Sequence, residues 1–359
     1  MNKLKSLHFL LILIVVTATA LVNATAPVRA RSTLLSLYTR SDVVAIARFD
    51  KKQEVGTNRV NEGFTVVTNK TFFDVSTVLK GEPQKFVTIE DEEFRYQVQQ
   101  NGIPRTSVFV DDNNVREEEI RPGDTVLLFL QTDGESFVLA DDRDGVRKIS
   151  PVEQGVYSDR IKELNSLFET KPIDDAKVAM WLVRCAEHPA TRWDGTHELL
   201  QGFRRDEWSK QKDSSYVRTD SSVTFDRGRE AAKVLTDGLK ETLTQILISS
   251  DFVLASKSPT LSDGDRELII LVRRWNPAAA ARYLIGQLKS RAFSSHENAG
   301  IMSKVTELIG DSRTSSVYRQ YVDVDSAALD TTDYRTALLD KFIRIAEGEL
   351  LRAANKRQN

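Results

Sequence analysis

Near residue 158 the spacing of apolar side chains changes from every second position to every third or fourth, which divides the chain into a β half and an α half. Before the switch, short runs rich in β-branched and aromatic residues alternate with turn signals. Residues 42–49, 63–67, 70–79, 86–89, 125–130 and 137–139 read as strands. Lys80-Gly81-Glu82-Pro83, Arg121-Pro122-Gly123-Asp124 and Thr132-Asp133-Gly134-Glu135 read as turns, because glycine supplies the turn backbone and proline ends pairing. The run 125–130 is apolar on both faces and is expected at the sheet centre. Five or more antiparallel strands joined this way predict a small closed or partly closed barrel. The acidic stretch between Glu90 and Arg121 lacks the pattern and is expected to be an insertion, a hairpin or long loop around Ser107 to Val110.

After the switch, Ile161, Leu164, Leu167 and Phe168 form one helical stripe. A second helix is predicted over 174–186, with Val178, Trp181, Leu182 and Cys185 inward and a stop at Pro189. Residues 204–226 are polar and poorly patterned, which predicts a long loop or interdomain flap. Helix returns over 231–248. Ser262-Asp263-Gly264-Asp265 has the composition of a capping box, Ser262 accepting a free amide while Asp265 reaches back. Pro277 is suited to open the following helix, and two more are expected around 301–309 and 334–354. Short joints between antiparallel helices predict a bundle or a short HEAT-like solenoid. The expected fold class is α+β and multidomain: an antiparallel β-barrel domain at 31–155, then an all-α helical domain at 156–359.

The first thirty residues read as a secretory leader. Lys3 and Lys5 precede an apolar stretch over 7–22, and Val22-Asn23-Ala24 and Val28-Arg29-Ala30 both offer small-residue cleavage sites. Cleavage is expected after Ala30, with Ala24 second; Pro27 disfavours Ala26. The alternative is an uncleaved membrane anchor, although the stretch is shorter than the ~20 residues that span a bilayer core. No later segment is long and apolar enough to span, so the mature chain is expected to be periplasmic or extracellular.

An exported chain with one cysteine, Cys185, cannot form an internal disulfide and must be stabilised by core burial. Its 40% apolar and 28% charged residues permit that. Residues 31–155 hold 16 Lys+Arg against 22 Asp+Glu, a net of −6, whereas residues 156–359 hold 31 against 30, a net of +1. The acidic first half would repel a phosphate backbone, so nucleic acid is not an expected partner.

In the β half, the order "DVVAIARF", "DVSTVLKGEP", "RPGDTVLLFL", "GESFVL", "DGVRKI" resembles netrin-like domains, with 78–81 and 123–130 matching best. The resemblance covers residues 41–150. It implies the OB-like barrel shared with tissue inhibitors of metalloproteases. Inhibitory members begin the mature chain with a Cys that reaches the protease zinc. Neither Arg31 nor Thr25 is Cys, so that activity is not carried over.

Residues able to do chemistry are few. Cys185, His188, His197 and Asp194 are the one concentrated metal-type group, although a closed structural zinc site needs four ligands at tighter spacing. Cys185 also lies on an apolar stripe, where a thiol behaves as a small hydrophobe. Asp141-Asp142-Arg143-Asp144-Gly145 resembles a calcium loop but continues with Arg147-Lys148, which reads as a solvated turn. Glu90 to Glu93 could supply paired carboxylates, yet nothing around them suggests burial. His296 reads as a helix-start residue. No phosphate loop, nucleophile elbow or H-E-x-x-H pair occurs. No catalytic residue and no cofactor is therefore assigned. The expectation is an exported noncatalytic binding protein whose barrel loops, including Glu117 to Glu119, meet a protein or glycan partner. The alternatives are a secreted hydrolase using paired carboxylates and a metal-binding sensor.

Overall fold

A computed structural model describes residues 31–61, 64–82, 84–100, 103–109, 120–134, 136–210, 224–249, 263–290, 293–324 and 331–358. The leader at 1–30, Glu117 to Glu119, Ser262 and residues 211–223 of the expected flap lie outside them. The architecture is mixed α+β: a short helix, a seven-stranded sheet and a helical region.

Helix α1 (Leu34–Arg40) starts where the Thr33 hydroxyl accepts the Ser36 amide, and Leu34, Leu35 and Leu37 are wholly buried. The strands are β1 (Val43–Asn61), β2 (Phe64–Lys80), β3 (Phe86–Gln100), β4 (Ile103–Phe109), β5 (Thr125–Asp133), β6 (Ser136–Leu139) and β7 (Val146–Lys148). Pairing runs β1-β2-β3-β6-β5 and returns to β1, so the sheet is partly ring-closed, with β4 added beside β3 and β7 beside β5. Every pairing is antiparallel except the join of β3 to β6, made by Ile89 opposite Phe137.

The two faces of β1 and β5 bury into different cores, as period-two alternation requires. Val43, Ala45, Ala47, Val126, Leu128 and Leu130 point into the ring with Phe73, Val87 and Ile89. Val44, Ile46, Leu127 and Phe129 point outward, into a buried cluster that continues through α1 and the helices to Leu350. The expectation of a central, two-faced strand at 125–130 is met.

Of the two forms expected for the stretch after Ile89, the structure takes the hairpin: β3 runs on to Gln100 and pairs antiparallel with β4, which contains Ser107. Glu90 to Glu93 continue β3 and pair with Lys70 to Val67 on β2, and a further strand follows at β4. Cations across the sheet make this possible, as described below. The first three strands therefore outrun the ring. β1 pairs with β5 only from Val43 to Arg48, yet stays paired with β2 as far as Asn61, which produces a projecting sheet.

The helical region begins earlier than expected, at α2 (Pro151–Glu169). Ser150 and Glu153 form a capping box and Pro151 occupies the first turn, whose polar residues hide it from apolar periodicity. Helix α3 (Asp175–Glu187) has Asp174 as its N-cap and His188 at its C-cap, close to the expected bounds. Helix α4 (Pro189–Lys210) runs into the stretch expected as a flap, and α5 (Thr224–Lys233) begins on its far side. The single helix expected at 231–248 is two, because the chain turns after Lys233 and restarts as α6 (Asp237–Ser249) with the Thr236 hydroxyl accepting the Leu239 amide. The remainder are α7 (Asp263–Val272), α8 (Pro277–Ser290), α9 (Ser295–Ile309), α10 (Ser312–Val322) and α11 (Thr331–Gln358). None of the described helices is long and apolar enough to cross a membrane.

Candidate functional site

Three of the sequence's candidates, Asp141, Asp144 and Asp194, meet in a buried polar socket between the sheet and α4, which holds the segment entering α1. Arg147 on β7 and Asp194 on α4 form a buried ion pair, with Arg147 Nη1 at 3.0 and 3.2 Å from the two carboxylate oxygens. Arg147 Nη2 also donates to the Ser32 carbonyl at 2.6 Å, and Asp194 accepts the Leu34 amide at 2.6 Å. Thr33 donates its hydroxyl to Glu198, one turn along α4. The loop before β7 completes the socket: Asp144 accepts the Ser32 amide and Asp141 accepts the Ser32 hydroxyl at 2.9 Å. Arg40 lies 3.4 Å from Asp141.

The loop at 141–145 is thus not a solvated turn. Asp141 accepts the amides of Arg143 and Asp144 at 3.1 and 3.0 Å, which folds the loop on its own side chain. Burial alone would raise the Asp141 carboxyl, but those hydrogen bonds, Ser32 and Arg40 outweigh it and hold it below its ordinary value. Asp144 goes the other way: desolvation raises it, aided by Asp141, and Ser32, Arg147 and Arg31 offset this only in part.

Cys185, His188, His197 and Asp194 each have separate partners. Cys185 is wholly buried, its Cβ lies 3.0 Å from where a side chain on Gly195 would begin, and burial pushes its thiol well up. His188 Nδ1 accepts the Ala190 amide at 3.2 Å, and burial with Arg160 and Arg192 lowers its pKa. His197 Nδ1 lies 2.8 Å from Glu267 while its ring stacks on Trp193 at 4.6 Å. Asp194 belongs to Arg147. Among the described residues no three His, Cys, Asp or Glu side chains are grouped to hold a metal ion. His296 lies inside the first turn of α9, exposed, one position past its start. The Asp265 carboxylate receives Arg192 at 3.0 Å in a buried pair, while its expected capping partner Ser262 lies outside the described residues.

The projecting sheet has two unlike faces. On the inner face, continuous with the ring interior, Lys52 meets Asp91 at 3.0 Å and Glu93 at 3.6 Å, and Arg95 meets Glu93 at 2.7 Å and Glu54 at 3.2 Å. This network covers the buried Val67 and Asn69. Burial would raise Glu93, but Arg95 and Lys52 hold it below the usual carboxylate range. On the outer face, Lys70 pairs with Glu90 at 3.5 Å and Arg48 with Asp74 at 3.4 Å, and Lys51 lies 5.1 Å over the Phe72 ring. Phe86, opposite Asp74 in the register, is 71% exposed. Strand alternation sends Glu90 and Asp91 to opposite faces, and Glu90, Asp91 and Glu93 each have a basic partner. Asp91 and Glu93 share a face and are both neutralised by Lys52.

A groove opens where α1, the end of β2 and the end of α2 meet. It encloses about 530 Å³ and is lined by Tyr38, Val78, Lys80, Asn165, Phe168 and Glu169, among others. Tyr38 donates to Asn165 Oδ1 at 2.9 Å and Asn165 donates to the Leu79 carbonyl at 2.7 Å. Burial and Glu169 raise the Tyr38 hydroxyl to about 12. Sequence reasoning missed this groove, because Lys80 reads as a turn residue and Phe168 as part of a helix stripe.

No family model, curated protein or solved structure matches the chain.

Proposed function

We propose that this chain is an exported, noncatalytic binding protein of the cell envelope or exterior. In this reading the ring-closed sheet is an OB-like barrel of the netrin type, and the helices form a bundle or short solenoid that scaffolds it. The ring order, with its one parallel join between β3 and β6, supports a five-stranded Greek-key barrel of that class. The leader-like first thirty residues support export.

The observation that carries the reading is the outer face of the projecting sheet. Arg48 and Lys70 are matched by Asp74 and Glu90 on the same face, and Phe86 stands on it 71% exposed. Covering such a ring is favourable by about 1.5–3 kcal/mol, so the surface gains from a partner. OB-type barrels use the face of their second and third strands for ligands, and that analogy of fold supports a protein or glycan partner at this face. The balanced charge does not favour a nucleic acid backbone.

A crosslinked pull-down of the processed chain from its native envelope fraction tests this, run beside Phe86→Ser and Lys70→Glu. Recovery of one partner, cut about tenfold by either change, is expected, the loss one central contact can cause. Equal recovery by all three would remove the outer face from the proposal.

A further inference from the structure

We infer that the groove between α1, β2 and α2 is a site for a small zwitterion with an apolar side chain, an amino acid or dipeptide. It is separate from the projecting sheet and does not depend on what that sheet binds. Its volume of about 530 Å³ lies within the roughly 300–1,000 Å³ usual for small-ligand sites.

Among the described residues the lining has one cation without an ion-pair partner, Lys80, one such anion, Glu169, and apolar surface. Lys80 Nζ sits 4.2 Å over the Tyr38 ring and donates to the carbonyls of Tyr38 and Ser41. An ammonium has three N–H groups; the two carbonyls take two and the Tyr38 ring faces the third side, so Lys80 offers a ligand carboxylate its uncancelled positive charge. Burial also lowers the Lys80 pKa, as expected for a cation short of water.

Glu169 is the last residue of α2, exposed, and among the described residues no hydrogen bond or ion pair holds it. The last turn of α2 contains no basic residue, so the carboxylate adds to the negative end of the helix dipole. That corner favours a ligand ammonium. Glu169 and Lys80 form no ion pair with each other, and Val78 and the Phe168 ring, 5.3 Å from that of Tyr38, lie along the same groove. Thr39 and Asn165 already have protein partners, so specificity falls on the two charges and the apolar wall.

The test is calorimetric titration of the full processed chain with L-leucine and L-leucyl-L-leucine, beside leucine amide and N-acetyl-leucine. Saturable binding of one zwitterion at millimolar concentration is expected. The amide should bind about tenfold more weakly through loss of its contact to Lys80, and the acetylated form similarly through Glu169. Glu169→Gln, an exposed change that leaves the fold intact, should weaken the zwitterion and leave N-acetyl-leucine unaffected. If leucine and dileucine both fail to bind, or the blocked compounds bind equally well, the inference is overturned. Preference for dileucine over leucine would identify the ligand as peptide, and the reverse as free amino acid.

Discussion

Arg147 on β7 grips both carboxylate oxygens of Asp194 on α4, at 3.0 and 3.2 Å, across the boundary between sheet and helices. Both side chains are almost wholly buried, so neither charge can fall back on water. Asp194→Asn leaves the buried guanidinium only the Ser32 carbonyl and the field of Asp144, and should cost about 3–5 kcal/mol. The double change Arg147→Met with Asp194→Leu should recover much of that loss. Urea unfolding of the three chains checks both; a single change costing under about 1 kcal/mol would mean the pair is solvated.

The socket's two loop carboxylates should respond to pH in opposite directions. Asp141 is held below its ordinary value of 3.8 in the folded chain, so its ionised form adds stability above that value, and this is lost as pH falls through the folded pKa. Asp144 is raised above 3.8, so its contribution is complete below 3.8 and declines as pH rises through the folded pKa. Relative to the parent, Asp141→Asn should lose stability with rising pH across the carboxylate range. Asp144→Asn should gain over the same range. Thermal midpoints measured from pH 3 to 7, about the range over which displaced carboxyls titrate, would show the two slopes; parallel slopes would contradict the assignment.

Glycines in α4 and α8 should tolerate alanine very differently. A Cβ on Gly195 would lie 2.1 Å from the Leu182 carbonyl of α3, so backbone must move and the change should cost about 1–3 kcal/mol. Gly286 in α8 has nothing within 4 Å and is exposed, so alanine there should add about 0.5–1 kcal/mol. Denaturant midpoints of the pair distinguish a packing role from a conformational one.

The entering segment should be indispensable. Leu34, Leu35 and Leu37 are wholly buried, and Ser32, Thr33 and Leu34 are bonded into the socket. Leu35→Ala should cost about 2–5 kcal/mol, and removal of residues 31–40 should prevent soluble folding. Near-ultraviolet circular dichroism of the shortened chain checks this; a native spectrum would show the segment to be peripheral.

The order of strands then helices was legible in the sequence because the apolar period states it directly, and the two-faced run at 125–130 announced its central place. Helix α4 was not legible. Its buried face includes Thr191, Arg192, Asp194, Thr196 and Glu198, residues that only partners such as Arg147 and Asp265, remote in sequence, make tolerable inside a core. The same holds for β3, where Glu90 to Glu93 read as the start of a weakly patterned hairpin or loop until Lys52, Lys70 and Arg95 are brought across the sheet. Local pattern carries period, and it cannot carry charge partners supplied by the tertiary fold. The candidate metal group failed for the same reason, since neighbours in sequence on α3 and α4 turn to different partners. The groove gave no local signal because three separate elements build it.

The join of β3 to β6 has a consequence for how the sheet can fail. A closed sheet has no edge only while its weakest seam holds, and here that seam is the single pair Ile89 and Phe137, against six pairs between β1 and β5. Breathing should begin there, with amides flanking Ile89 exchanging before those of β5. Each opening bares two fresh strand edges to any neighbouring chain, so crowding and heat should drive the molecule toward self-pairing through the interior of its own ring.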